Sequence, residues 1–247
     1  MDQLQPFRDE ALRRGIPADE VERWIGTVRP RLTMVPGPGP DSRIAGQLGG
    51  HPLLPENISR PELSFAGSLD CAAVPAAAND LDLPPDGTLL YFAQPDLTAG
   101  TDEAAVIYVN AGTPVSQRPP RSEGVVVFPR SDAHLVVDPS PPNTAYDDPL
   151  FPHAEALDAV WWDLDRQLVK GRGPLQIGGV PLMEQDDTFE MAAENAGNQP
   201  EDWALLGRWE PDGDGTDEYF FGSLHMLIRR RDVTARRFDR LTLFWQR

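Results

Sequence analysis

The sequence predicts an α+β protein: a single compact, β-rich unit made of two related halves, with helices at its N-terminus. Three observations predict it. The phrase Gln47-Leu48-Gly49-Gly50-His51-Pro52 returns as Gln176-Ile177-Gly178-Gly179-Val180-Pro181, beginning 129 positions later (176 − 47). Most apolar runs beyond residue 62 are short and separated by Pro, Gly and Asp, the pattern of strands joined by turns. Helical periodicity is confined mainly to the first 30 residues and to a stretch near residue 160.

The repeat extends past its glycines. Leu63-Ser64-Phe65-Ala66-Gly67 aligns with Trp203-Ala204-Leu205-Leu206-Gly207, and Gly87-Thr88-Leu89-Leu90-Tyr91-Phe92 with Gly222-Ser223-Leu224-His225-Met226-Leu227. Three matched segments in the same order predict an internal duplication, with half-repeats at about 43–97 and 172–246. The expected organisation is an N-terminal helical segment, 1–34, followed by an α+β domain, 41–247.

Along the chain, Pro6 suits a first helical turn and Gly15 closes that helix. Pro17 opens a second helix, in which Val21, Trp24, Ile25 and Val28 share a face before Pro30. Val35-Pro36-Gly37-Pro38-Gly39-Pro40 reads as a linker, because proline can neither continue a helix nor sit in an interior strand. Strands are expected at Leu63–Phe65, Leu89–Phe92, Ala105–Val109, Val125–Phe128 and Leu135–Val137. A loop, Asp138–Pro149, leads to a helix whose buried face carries Leu157, Val160, Trp161, Leu164 and Leu168. Trp162 falls on the opposite side, either as a contact residue or packed under a neighbouring loop. Trp203–Trp209 and Tyr219–Ile228 read as strands around an acidic loop, Asp232 as the cap of a short helix reaching Phe238, and Leu241–Trp245 as a final strand.

Composition excludes several functions. A formal net charge of −17 argues against a phosphate backbone or an anionic membrane as partner, since both need a basic surface. No apolar run approaches the roughly 20 residues of a membrane helix, and no signal peptide is visible, so a cytoplasmic location is expected. The one cysteine, Cys71, cannot form an internal disulfide; among alanines and Val74 it reads as a small buried thiol.

Two motifs bear on chemistry. Backbone amides at paired glycines can cradle an anion, but neither phrase continues into the Lys-Ser/Thr of a phosphate loop. Gly49, Gly50, Gly178 and Gly179 therefore read first as turn residues needing positive φ. Glu210, Asp212, Asp214 and Glu218 alternate around Gly215, a spacing that could offer oxygens to calcium. Strand-like flanks and Pro211 favour instead a solvated hairpin loop. The four histidines, His51, His134, His153 and His225, have no metal-ligand spacing, and no nucleophile elbow is present. Arg229, Arg230, Arg231, Arg236, Arg237 and Arg240 are expected to pair with the chain's own carboxylates.

Gly49-Gly50-His51-Pro52-Leu53-Leu54-Pro55, Leu89-Leu90-Tyr91-Phe92, Gln176-Ile177-Gly178-Gly179 and Arg236-Arg237-Phe238-Asp239-Arg240 occur in that order, before a last aromatic strand with Gln246. In this the chain resembles the YwqG-like family of bacterial proteins, over most of 43–97 and 166–246. The resemblance implies an α+β fold of two β-rich halves in one unit, and a neighbourhood of toxin and immunity genes. Two positions depart from the family pattern: Leu175 stands where a histidine often precedes the Gln, and Phe221-Gly222-Ser223 replaces Trp-Gly-Asp.

The functional expectation is a non-enzymatic, protein-binding module of immunity or partner-binding type, without a cofactor. Its partner groove would involve Gly49, Gly50, His51, Gly178, Gly179, Trp162, Trp203 and Trp209. The alternatives are a hydrolase-like enzyme with a site at the seam between the halves, and a calcium-binding structural protein using Glu210, Asp212, Asp214 and Glu218.

Overall fold

The computed structural model describes residues 3–39, 43–94, 103–144, 148–181, 186–210 and 222–246. Ten of its strands form one antiparallel sheet. The central pair is β1 (Arg29–Pro36) and β8 (Ser131–Ser140), in register from Arg29↔Ser140 to Pro36↔Ala133. Outward from β1 lie β9 (Leu175–Gly178), β10 (Trp203–Trp209), β11 (Ser223–Arg229) and β12 (Leu241–Gln246). Outward from β8 lie β2 (Gly46–Leu48), β4 (Ser64–Asp70), β5 (Thr88–Ala93) and β6 (Ala104–Val109). The edge strands β6 and β12 come into contact, so the sheet nearly closes on itself. Tyr108 of β6 and Phe238, just before β12, span that gap with ring centroids 5.6 Å apart.

Strand alternation divides the side chains between an interior and two outer faces. Leu89, Tyr91 and Ala93 of β5 join Leu224, Met226 and Ile228 of β11 in the interior, with Leu32 and Met34 from β1. Tyr91 Oη donates to the Leu206 carbonyl at 3.2 Å, a bond between the two arms across this core. The register of β4 on β5 slips at Ala66, between Phe65 and Gly67, and that of β10 on β11 at Leu206, between Leu205 and Gly207. Each slip is a one-residue bulge, which bends the strand and assists closure.

One outer face, with Leu90 and Phe92, packs on Leu54, Leu63 and Phe65. It is bordered by a small ladder of β3 (Leu53–Leu54) and β7 (Ser116–Gln117). The other, with Leu205, Leu227 and Phe244, packs on Phe189, Ala192 and Ala193 of α4 (Thr188–Ala196). A third cluster joins α1 (Gln5–Arg13), α2 (Ala18–Ile25) and α3 (Ala154–Leu168). There Phe7 stacks on Trp24 at 4.5 Å and Trp161 leans on both. The last described helix, α5 (Arg230–Thr234), follows β11 directly.

The structure corrects three local expectations. Residues 29–36, read as a helix end and a linker, form β1; its two prolines fall at the second and last positions, where the strand begins and ends. Val125–Phe128 is not a strand: the chain leaves it through Pro129, and Phe128 gives its carbonyl to the amide of Gly50. Asp232 does not cap a helix to Phe238. It lies inside α5, buried, with Arg237 Nη2 at 2.6 Å from its carboxylate.

Candidate functional site

The paired glycines build two turns of the same construction. Gly49 and Gly50 have φ of 58° and 70°, Gly178 and Gly179 of 68° and 73°. Each turn is held from inside by the glutamine that precedes it. Gln47 Nε2 donates to the carbonyls of Gly49 at 2.6 Å and His51 at 3.3 Å. Gln176 Nε2 donates to those of Gly178 at 3.1 Å and Val180 at 3.4 Å. A side chain on Gly50 would place Cβ 2.8 Å from Cβ of Arg130, and one on Gly179 2.7 Å from Cβ of Arg31. The amides of Gly49 and Gly50 donate to the carbonyls of Ala66 and Phe128, so at the first turn the fold already uses the donors an anion would need. Because β9, β1, β8 and β2 alternate in direction, the two turns lie at opposite ends of the central ladder.

The other residues singled out in the sequence are dispersed. Trp203 is buried; its Nε1 donates to Asn198 Oδ1 at 2.9 Å, and the Arg229 guanidinium lies 5.3 Å from its ring centre. Trp209 is buried edge-on against Phe128. Trp162, by contrast, is 54% exposed on the outside of α3. His51 lies beside the first turn, its Nδ1 buried without a partner among the described residues. Glu210 pairs with Arg208 at 2.9 Å; Asp212, Asp214 and Glu218 lie outside the described residues. Among those described, no group of three or more His, Cys, Asp or Glu could hold a metal ion. Two of the C-terminal arginines pair internally, Arg230 with Asp80 and Arg237 with Asp232.

His225 has the surroundings closest to a catalytic pair. Its Nε2 lies 2.9 Å from Ser223 Oγ and its Nδ1 3.3 Å from Thr188 Oγ1. Burial pushes its pKa down to about 3, with Arg208 acting in the same direction. The imidazole is therefore neutral at pH 7, one nitrogen donating and the other accepting. All three side chains are buried. The trio fastens the first turn of α4 to β11. Cys71 is buried too, and burial raises its pKa to about 12, which suppresses the reactive thiolate.

The groove that the residues do build lies elsewhere, where the helical cluster of α1, α2 and α3 meets the cluster under α4. It encloses about 360 Å³. Its apolar lining is Phe151, before α3, Phe189 in the first turn of α4, and Val180, which follows the second glycine turn. Ser140 Oγ fixes Val180 by accepting from its amide at 2.9 Å and donating to its carbonyl at 3.1 Å. Among the described residues, the rim carries Asp148, Asp187, Glu190 and Glu201 against one cation, Arg29. Asp187 is the N-cap of α4: Oδ1 accepts from the amides of Phe189 and Glu190, and Oδ2 from Asn143 Nδ2 at 3.0 Å. Burial lowers the pKa of Arg29, as does Arg230, while Asp80 and Glu201 oppose them. Thr144 Oγ1, also in the lining, is buried without a partner among the described residues.

Sequence reasoning missed this groove. The one available signal was Asp187-Thr188-Phe189-Glu190 ahead of an alanine-rich run and Gly197, which marks a capped helix. Nothing in the sequence placed that helix beside Phe151. A second, open cavity of about 570 Å³ adjoins the C-terminal end of α3. Two of its three basic groups among the described residues are engaged nearby, Arg172 with Asp165 at 2.5 Å and Lys170 Nζ with the Arg166 carbonyl at 3.1 Å.

Residues 46–246 match a family described as a domain of unknown function, DUF1963. No curated protein matches the chain. No helix among the described residues is long and apolar enough to cross a membrane.

Proposed function

Because the chain belongs to the DUF1963 family, whose description assigns no activity, we propose a reading drawn from its own geometry: it is a cytoplasmic, non-enzymatic protein-binding module. The observation that carries this is the groove in front of α4. A floor of Phe151 and Phe189 under a rim of carboxylates combines apolar area with a few placed polar groups, the composition of a recognition pocket. Its walls are pre-formed, since Asp187, Asn143 and Ser140 pin them with hydrogen bonds. Pre-organisation lowers the cost of binding.

Within the family, the YwqG-like motifs support placement among those proteins. An internal duplication is supported by the common strand order of the two arms, the bulges at Ala66 and Leu206, and the matching glutamine-clamped glycine turns. The strands β1 and β8, which precede the half-repeats at about 43–97 and 172–246, each lie against the first strand of the other one, β9 or β2. The halves are then interlocked.

A photo-activated crosslinking residue at Thr27, exposed in the groove lining, tests the binding role in cells. A second at Glu56, outside the groove, serves as control. The reading expects a discrete protein adduct from position 27 and none from position 56. Adducts at neither position, or the same adducts at both, sink it.

A further inference from the structure

We propose that the groove takes a basic, extended peptide segment, in which lysine or arginine alternates with aliphatic or aromatic side chains. This rests on the protein-binding reading and names the chemistry of the partner. Charge complementarity carries it. Among the described residues, four carboxylates and one guanidinium line it, and the carboxylates are not equivalent. Asp187 is occupied by the helix cap and Asn143, and Asp148 Oδ1 accepts from the Leu150 amide. Glu190 and Glu201 accept no side-chain hydrogen bond from the described residues, and both are exposed. They are the groups available to an incoming ammonium or guanidinium. Glu190 lies in the first turn of α4.

Beside these charges the groove also has an apolar lining. Phe151 and Phe189 are 6% and 8% exposed, so their exposed edges line the groove without being loose in it. A bare cation would leave that area wet, whereas an apolar neighbour covers it. The volume of about 360 Å³ is near the lower end for ligand pockets, roughly 300–1,000 Å³, which suits a few side chains of an extended segment. An acidic segment is disfavoured by the surplus of carboxylates. Arg29 alone cannot offset it, being half-buried and already facing Glu201 and Asp80.

The test measures fluorescence anisotropy of a labelled lysine–leucine hexapeptide on the full chain, at low and high salt. The same peptide with glutamate for lysine, and hexalysine, serve as comparisons. The lysine–leucine peptide should bind tightest, and more weakly as salt rises. Glu190→Gln combined with Glu201→Gln should weaken it by about tenfold, with an unchanged melting temperature. Glu56→Gln combined with Glu123→Gln, outside the groove, should leave it within about twofold. Equal weakening by the two pairs would mean that the acidic surface attracts any cation, and overturns the proposal. So does equal or tighter binding of hexalysine, which needs no apolar floor, or of the glutamate peptide. An adduct at position 27 to an acidic or neutral segment would keep the protein-binding role and overturn only the basic ligand; no adduct would remove both.

Discussion

At the scale of single residues, the glycine turns separate two effects that are often merged: positive φ and lack of room. Gly112 and Gly179 have nearly the same φ, 75° and 73°. A Cβ on Gly112 meets nothing within 4 Å, whereas one on Gly179 lies 2.7 Å from Arg31 Cβ and 2.9 Å from Ser140 Cβ. Gly112→Ala should therefore cost about 1 kcal/mol, the strain of φ alone. Gly179→Ala should cost roughly 2–4 kcal/mol, because backbone of the central ladder must also shift. Urea unfolding of both variants checks this; equal losses would show that packing adds nothing at the turn. His225 gives a pH-dependent counterpart. It is neutral in the folded protein, with its pKa pushed down to about 3 by burial, and ionises near pH 6.5 once unfolded. The unfolded state thus binds the extra proton below about pH 6.5, and stability falls as pH drops from there towards about 3. The expected slope is roughly 1.4 kcal/mol per pH unit. His225→Gln can keep hydrogen bonds to Ser223 and Thr188 but cannot titrate. Its stability should fall less steeply than that of the parent between about pH 6.5 and 5. Parallel curves would show that His225 is not the group responsible.

At the scale of elements, α4 matters most, because it forms one wall of the groove and covers the outer face of β10, β11 and β12. Its N-terminus is fixed three ways: by the Asp187 cap, by Asn143 on the same carboxylate, and by Thr188 on His225. Asp187→Ala removes the first two and should cost about 1–2 kcal/mol. It should also weaken crosslinking at position 27, since the wall carrying Glu190 is loosened. Asp187→Asn, which can still cap, should retain most of both; an Asn variant as impaired as the Ala would argue that charge, not capping, is what matters. Legibility follows the same divide between local and long-range signals. The helices α2 and α3 and the strands β5, β6, β10 and β12 were readable because their apolar spacing or their bounding turns are local. The strand β1 was not, since its prolines mimic a linker and only its neighbours β8 and β9 specify it. Val125–Phe128 misled for the converse reason: its composition suits a strand, but Pro129 and the loop to Gly50 give it no ladder. The turn glycines and glutamines could be read individually, yet their location at opposite ends of a sheet depends on strand order. The groove was illegible, because Phe151 and Phe189 meet only through packing between separate clusters.

At the scale of the whole molecule, the strand order makes an unusual demand on folding. The central strand β1 belongs to the first part of the chain but pairs with β9, while β8, from the second part, pairs with β2. Cutting between Thr113 and Pro114, in an exposed connection, would give two fragments. The first retains β1, β2, β4, β5 and β6 but loses β8, which pairs with both β1 and β2. The second retains β8 to β12 but loses β1, which separates β8 from β9. Each fragment alone would leave long rows of backbone donors and acceptors unpaired and a half-built interior exposed, a state prone to aggregation. Together they can restore every ladder, including Leu53–Leu54 with Ser116–Gln117. The expected outcome is that each fragment is insoluble or unfolded when expressed alone, and that co-expression yields a soluble one-to-one complex. Circular dichroism and size-exclusion chromatography would check this. Two independently folded, monomeric fragments would contradict the interlocked arrangement, because neither could then need the strand that the other supplies.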